Sequence, residues 1–172
     1  MKRVRYLIPA FLSFLFLFFP SKTQRLDSSN CAFCKQPIIK KQKIYEDEHA
    51  LVLYTHKPTY PGHCLIIPKK QTERFEDLSD EEMLQMTKLV KKVDKAIAKT
   101  FGTKAYLLLQ KNGTEVGQTV PHVHIHYVPR MEGDSSTLTF IWRAFWANIN
   151  PPISDDEMQK NVSLIRQAML DK

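Results

Sequence analysis

An α+β fold is the class this sequence predicts: a five-stranded antiparallel sheet, one long helix against a face, and a C-terminal helical extension. Three observations carry that expectation. Short runs of strand length at 43–46, 50–54, 63–67 and 105–110 are separated by turn residues or by helix. Residues 121–129 alternate histidine with Val, Ile and Tyr at strict period two, which makes a fifth strand. Between the third and fourth runs, Ser79-Asp80-Glu81-Glu82 is a capping box. Met83, Met86, Leu89, Val90, Val93 and Ile97 then recur at helical spacing until Gly102, with lysines on the opposite face. The scaffold helix is therefore expected over 79–100, with its methionines in the core.

In chain order, residues 1–20 begin with Lys2, Arg3 and Arg5, followed by fourteen mostly apolar residues from Tyr6 to Phe19. A basic segment before a short apolar stretch is the layout of a signal peptide. Membrane association or export through 1–20 is the expectation, with a cytoplasmic protein as the alternative. A membrane span needs about 20 apolar residues, so the stretch is short for an anchor. Residues 20–24 offer no A-x-A-like cleavage site, which leaves cleavage open. Residues 21–30 are polar and read as a linker, 31–130 as the folded domain, and 131–172 as an extension. In that extension Ser154-x-x-Glu157 repeats the capping pattern, and Met158, Val162, Ile165 and Met169 mark a last amphipathic helix. The aromatic segment from Leu138 to Trp146 is expected to pack across the domain or a dimer.

Length and composition fit one compact domain with tails: 172 residues, 43% hydrophobic and 10% aromatic. The net charge of +7 suits anionic substrates. No basic stripe interleaved with aromatics is present, so no nucleic-acid partner is expected. Three cysteines, an odd count, do not describe a disulfide framework. Cys31-x-x-Cys34 read alone is a redox pair, half a zinc site or two small apolar residues. Cys64 lies within the third strand and is expected to be packed. His49 and His56 read as solvated loop residues.

The chemistry concentrates in 121–129. On a strand, His122, His124 and His126 share one face while Val123, Ile125 and Tyr127 point to the other. Six histidines occur in the chain, and three of them fall within five residues. A solvated polar face would be served as well by Ser, Thr or Lys, so the pattern reads as a site. Imidazoles at i and i+2 can share a metal ion. A neutral imidazole can also attack an electrophile when a neighbour fixes its tautomer. The preceding loop, 112–120, favours the second: two glycines, amide N–H groups and hydroxyls suit an oxyanion, and Glu115 is its one anionic metal ligand.

The run Gly117-Gln118-Thr119-Val120-Pro121-His122-Val123-His124-Ile125-His126-Tyr127-Val128-Pro129-Arg130 resembles the signature of the histidine triad (HIT) family of nucleotide hydrolases and transferases. The likeness extends to Pro61-Gly62-His63 through Lys70 and back to Cys31-Ala32-Phe33-Cys34, over roughly residues 30–130. Bacterial HIT hydrolases and Fhit-like dinucleoside polyphosphate hydrolases are the members it resembles most. The resemblance implies hydrolysis of nucleoside polyphosphates or phosphoramidates through a nucleotidyl-histidine, with dinucleoside polyphosphates favoured. A nucleotide-binding regulatory module without turnover is the alternative.

Carried over by motif, His124 is the nucleophile, His126 holds geometry and tautomer, and His122 helps to protonate or bind the leaving side. Gly117, Thr119 and Val120 line the phosphate pocket, Gln118 is the loop glutamine, and His63 lies near the nucleotide. Lys111 stands where the family has Asn or Gln, with Gln110 and Asn112 as substitutes after a one-residue shift. Thr55 stands at the ribose-contacting Asp or Asn. Cys31, Cys34 and His122 match three ligands of a zinc site found in some bacterial relatives, and Gln71 replaces the fourth. The resemblance further implies a purine nucleotide substrate and a homodimer in which two sheets join. No cofactor is required, although Mg²⁺ can accompany a polyphosphate.

Overall fold

The computed structural model describes residues 26–134 and 136–171. Two 3₁₀ turns, Ser28–Asn30 and Ala32–Cys34, precede a short helix α1 (Gln36–Gln42), which has a proline in its first turn. Then come β1 (Lys43–Glu46), β2 (Ala50–Tyr54), β3 (Cys64–Pro68), α2 (Asp80–Phe101), β4 (Ala105–Gln110) and β5 (Ile125–Arg130). Helices α3 (Thr137–Ile149) and α4 (Asp155–Leu170) close the chain. The five strands form one sheet in the order β1-β2-β3-β5-β4, and every pair is antiparallel. The α+β architecture is therefore as the sequence predicts.

Central strands β2 and β3 are buried at all five positions, so their apolar runs cover both faces of the sheet. One face packs against α2 and α4: Val52, Tyr54, Cys64, Ile66 and Tyr127 meet Met86, Val93, Ile97, Met158 and Ile165. Helix α2 keeps its capping box at Ser79 and Glu82 and ends at Gly102 in the left-handed conformation. Tyr127 also donates to Asp94 Oδ1 (2.8 Å), which ties the triad strand to α2. On the other face Leu51, Leu53, Leu65 and Ile67 meet Cys31, Phe33, Ile39 and Val120. The segment before β1 is thus part of the domain, and α1 was absent from the sequence expectation. Its seven residues are too few for a periodic signal.

Gly62 sits between β2 and β3 with φ +91°, and a Cβ there would lie 3.1 Å from Ile97 and 3.2 Å from Phe101. The turn needs a residue without a side chain both for its dihedral and for the close approach of α2. At the far edge, β4 exposes Tyr106, Leu108 and Leu109. Helix α3 has no buried residue and exposes Leu138, Ile141 and Trp142. The aromatic segment is therefore a helix lying over the surface rather than a packed core element.

The signal-peptide or membrane-anchor reading of 1–20 is corrected. No helix among the described residues is long and apolar enough to cross a membrane. Residues 1–20 themselves lie outside the described residues.

Candidate active site

Strand β5 begins at Ile125, so His122 and His124 belong to the approach to the strand rather than to its ladder. Inside the ladder, His126 pairs with Leu65 on one side and Leu109 on the other. The three rings do not form one row. Those of His124 and His126 stand 5.0 Å apart, whereas that of His122 turns toward Cys31 and Cys34.

Hydrogen-bond partners assign the tautomers. His122 Nε2–H donates to the Pro68 carbonyl (2.8 Å), which leaves the one Nδ1 lone pair to accept from the Cys31 thiol (3.4 Å); Cys34 Sγ lies 3.7 Å from it, with its own thiol donating to Gln71 Oε1. His124 Nδ1–H donates to the main-chain carbonyl of His122 (2.7 Å), so its Nε2 keeps a lone pair. The Thr59 N–H donates to His63 Nδ1 (3.2 Å), and His63 Nε2–H in turn donates to His126 Nδ1 (3.0 Å). His126 therefore carries its proton on Nε2. This relay from a main-chain amide through His63 links parts of the chain 63 residues apart.

Burial keeps these rings neutral. It pushes His63 down to about 4 and His126 down to about 3, the latter helped by the charges of His124, His63 and Lys111. Burial also lowers His124, against the hydrogen bond from its ring to the His122 carbonyl, and lowers His122. Phe33 stacks edge-on against the His124 ring at 5.1 Å and helps to exclude water from it.

A cavity of about 430 Å³ opens on these groups, within the range of small-molecule sites. His63, His124 and His126 line it together with Thr55, Lys111, Gly117, Thr119 and Val120. Gly117 adopts φ +78°, a backbone that brings the loop close to Lys111 Nζ. Of the predicted site residues, His122 and Gln118 are not on the cavity wall. Gln118 is buried and fully engaged: it accepts from Gly113 N–H (2.7 Å) and donates to the carbonyls of Glu73 and Val120 (both 3.0 Å). It shapes the loop from behind. Lys111 faces the cavity; Asn112 is held by Phe75 N–H and Glu76 and Gln110 by the Lys111 carbonyl, and neither of them lines it.

Several wall residues carried no signal in the sequence. Phe33, Ile38, Gln42 and Phe140 reach the cavity from segments far from the triad. His56 also lines it, although it is exposed as a loop residue should be. Beside the cavity, Cys31, Cys34 and His122 place their ligand atoms within 4.8 Å of one another. Gln71 turns its Oε1 to Cys34 Sγ (3.5 Å).

The site is an imidazole with a free lone pair beside a glycine-turned loop and a lysine, on a five-stranded α+β scaffold. The chain belongs to the HIT domain family, whose model matches residues 36–133. It is 40% identical to an uncharacterised HIT-like protein of Methanocaldococcus jannaschii over 64% of this chain and 86% of that one. Asymmetrical bis(5'-nucleosyl)-tetraphosphatase of Schizosaccharomyces pombe is 36% identical over 60% of this chain, which covers 57% of that enzyme. Adenosine 5'-monophosphoramidase of the same yeast is 36% identical over 76% of this chain and 91% of its own. Among solved structures, a Hit-like protein of Bartonella henselae superposes with a TM-score of 0.67 at 30% identity, over 84% of this chain and 99% of that one. A zinc-bound histidine triad protein of Mycobacterium smegmatis gives 0.64 at 28% identity, over 83% and 95%. Relatives of this chain thus include nucleotide hydrolases of two kinds, acting on polyphosphates and on phosphoramidates.

Proposed function

We propose that this chain is a nucleotide hydrolase acting at an α-phosphate through a covalent nucleotidyl-histidine. The observation that carries the reading is the tautomer of His124, whose Nδ1–H is bound by a main-chain carbonyl and whose Nε2 is left free beside the cavity. In the first step the Nε2 lone pair forms a bond to the α-phosphorus as the bond to the leaving oxygen breaks. His126 Nε2–H donates to the leaving group, and His63 holds that ring in place. Water then attacks the same phosphorus, the P–N bond breaks, and the nucleoside monophosphate departs. Gly117, Thr119 and Val120 hold the phosphate oxygens.

Lys111 favours a dinucleoside polyphosphate over a phosphoramidate. Its ammonium reaches only the Gly117 carbonyl (3.3 Å), and among the described residues no carboxylate lies within ion-pair distance of it. A leaving polyphosphate would supply the missing anion. We assign the catalytic unit to 31–130, with 131–172 as an extension that contributes Phe140 and Ala144 to the cavity wall. A homodimer joined through the open β4 edge, where Tyr106, Leu108 and Leu109 are exposed, belongs to the same reading.

Cys31, Cys34 and His122 have the donor types and spacing of a zinc site with three protein ligands. Zinc held there would be structural, joining the segment before α1 to the approach to β5.

Comparing turnover of diadenosine triphosphate, diadenosine tetraphosphate and a fluorogenic adenosine phosphoramidate tests the function. Cleavage of the dinucleotides at a higher kcat/KM is the expected result. Good cleavage of the phosphoramidate alone would remove the polyphosphate preference. Binding of all three without turnover of any would leave a regulatory binding module.

A further inference from the structure

We infer that helix α3 builds a second subsite across the reacting histidines, where Phe140 stacks on the nucleobase of the leaving half of a dinucleoside polyphosphate. The inference rests on the proposed function and adds to it the residues that recognise the leaving group. His124 and His126 divide the cavity. Phe33 packs on β2 and β3 and meets the His124 ring at 5.1 Å. His126 lies on β5, and its ladder partner Leu109 lies on β4, the opposite end of the sheet from β1 and β2. Ladder partners share a face, as do residues two apart on a strand, so Leu109 and Val128 line the cavity beside His126. Phe33 and Ile38 therefore wall one half of the cavity. Leu109, Val128, Phe140, Ala144 and Ala147 wall the other.

Helix α3 lies outside residues 36–133, the span that the family model matches, so this wall is the chain's own addition to the site. The helix has no buried residue, and its half-buried side chains Phe140, Ala144 and Ala147 front the cavity. It is held at both ends. Asp134 accepts from Tyr60 O–H and from Arg130 Nε–H (3.1 Å), and the Arg143 guanidinium lies 4.9 Å over the Tyr60 ring. At the other end Lys57 Nζ donates to the Asn148 carbonyl (2.7 Å). Arg130 covers one face of the Phe140 ring at 4.9 Å, which fixes the ring and leaves a second face to offer. Aromatic side chains stack on any nucleobase, because every base has a π-face. His126 donates to the leaving group in the proposed mechanism, so the departing half lies on its side of the cavity, toward Leu109 and α3. Lys57 and Lys111 also line the cavity, and among the described residues neither has a carboxylate within ion-pair distance. Two such cations suit the anionic chain that joins one nucleoside to the other.

The test follows AMP release by the full chain from two compounds. One is diadenosine tetraphosphate, and the other is adenosine tetraphosphate esterified at its terminal phosphate with the 5'-hydroxyl of ribose. They match in charge and in sugars, and the second lacks only the distal base. Once the symmetry of the dinucleotide is allowed for, the wild type should cleave it with a kcat/KM at least ~10-fold higher. In Phe140→Ala that ratio should fall below ~3-fold, and Phe140→Trp should keep it. A wild-type ratio near one overturns the inference, whether or not the variants fold. A ratio that survives in Phe140→Ala places the distal base elsewhere and also overturns it. Cleavage of neither compound removes the hydrolase reading and the inference with it, whereas equal cleavage of both removes the inference alone.

Discussion

The ring of His124 and the main chain of His122 are joined by a 2.7 Å hydrogen bond, with Nδ1–H as donor and the carbonyl as acceptor. The middle imidazole is thus oriented by backbone, while the side chain of His122 is committed to Pro68 and the cysteines. That division separates the expected effects of substitutions two residues apart. His124→Ala should lose at least ~10³-fold in turnover, on the order of 4 kcal/mol of barrier. His122→Ala preserves the orienting carbonyl and should lose no more than ~10-fold, with its larger effect on thermal stability. Equal kinetic losses in the two variants, measured on the same substrate, would show that the His122 ring takes part in the reaction.

The covalent step has its own readout. Wild-type protein quenched without acid during turnover of a labelled nucleotide should carry the label, because phosphoramidate bonds to histidine hydrolyse in acid. His124→Ala should carry none. Normal labelling of that variant would move the nucleophile elsewhere.

In the proposed mechanism His63, although on the cavity wall, acts through His126 as a positioning residue. His63→Phe keeps the bulk of the ring but removes both of its hydrogen bonds. We expect about a 10-fold fall in kcat with KM little changed, and His126→Ala should lose about 10²-fold. A loss confined to KM would make His63 a binding group instead.

The depressed histidines predict how stability follows pH. Folding holds His63 and His126 near 4 and 3, below the ordinary imidazole value of about 6.5. As pH falls below about 6.5 the unfolded chain takes up protons that the folded chain does not, so stability is lost from there toward pH 4 and below. Thermal melts at successive pH values should show Tm falling over this window, and less steeply in His63→Phe. An unchanged slope in that variant would mean that other groups govern the acid limb.

Metal content is a direct check on the cysteine pair. Protein prepared with zinc should hold about one ion per chain, and Cys34→Ser should lose it. Burial pushes the Cys31 thiol up to about 11, so binding must displace its proton and should weaken as pH falls. Elemental analysis that finds no zinc in the wild type would leave the cluster as hydrogen-bonded thiols.

Gly62 offers a test of the fold alone. Its φ of +91° is one that L side chains rarely adopt, and a methyl group there would lie 3.1 Å from Ile97, which would have to give way. Gly62→Ala should cost about 1–3 kcal/mol in chemical denaturation. A neutral result would require the turn to rearrange.

Much of this protein was legible in its sequence because local patterns carried it. The capping box at Ser79, the spacing from Met86 to Ile97 and the left-handed Gly102 are properties of adjacent residues, and each reappears in α2. Alternation across 121–129 likewise placed His124 and His126 opposite Tyr127, and the glycine-rich loop marked one wall of the cavity. Tertiary structure decided what depends on residues distant in the chain. Only the meeting of 31–34 with the approach to β5 turned the His122 ring away from its two companions. Gln118, read as part of the pocket, proved to brace the loop from behind, because its partners Glu73 and Gly113 come from outside its own motif. Gln42, with no motif around it, gained its place in the cavity through strand register and the contacts of α4. Periodicity reports which face a side chain occupies; which partner satisfies its polar atoms is fixed by the packing of elements far apart in sequence.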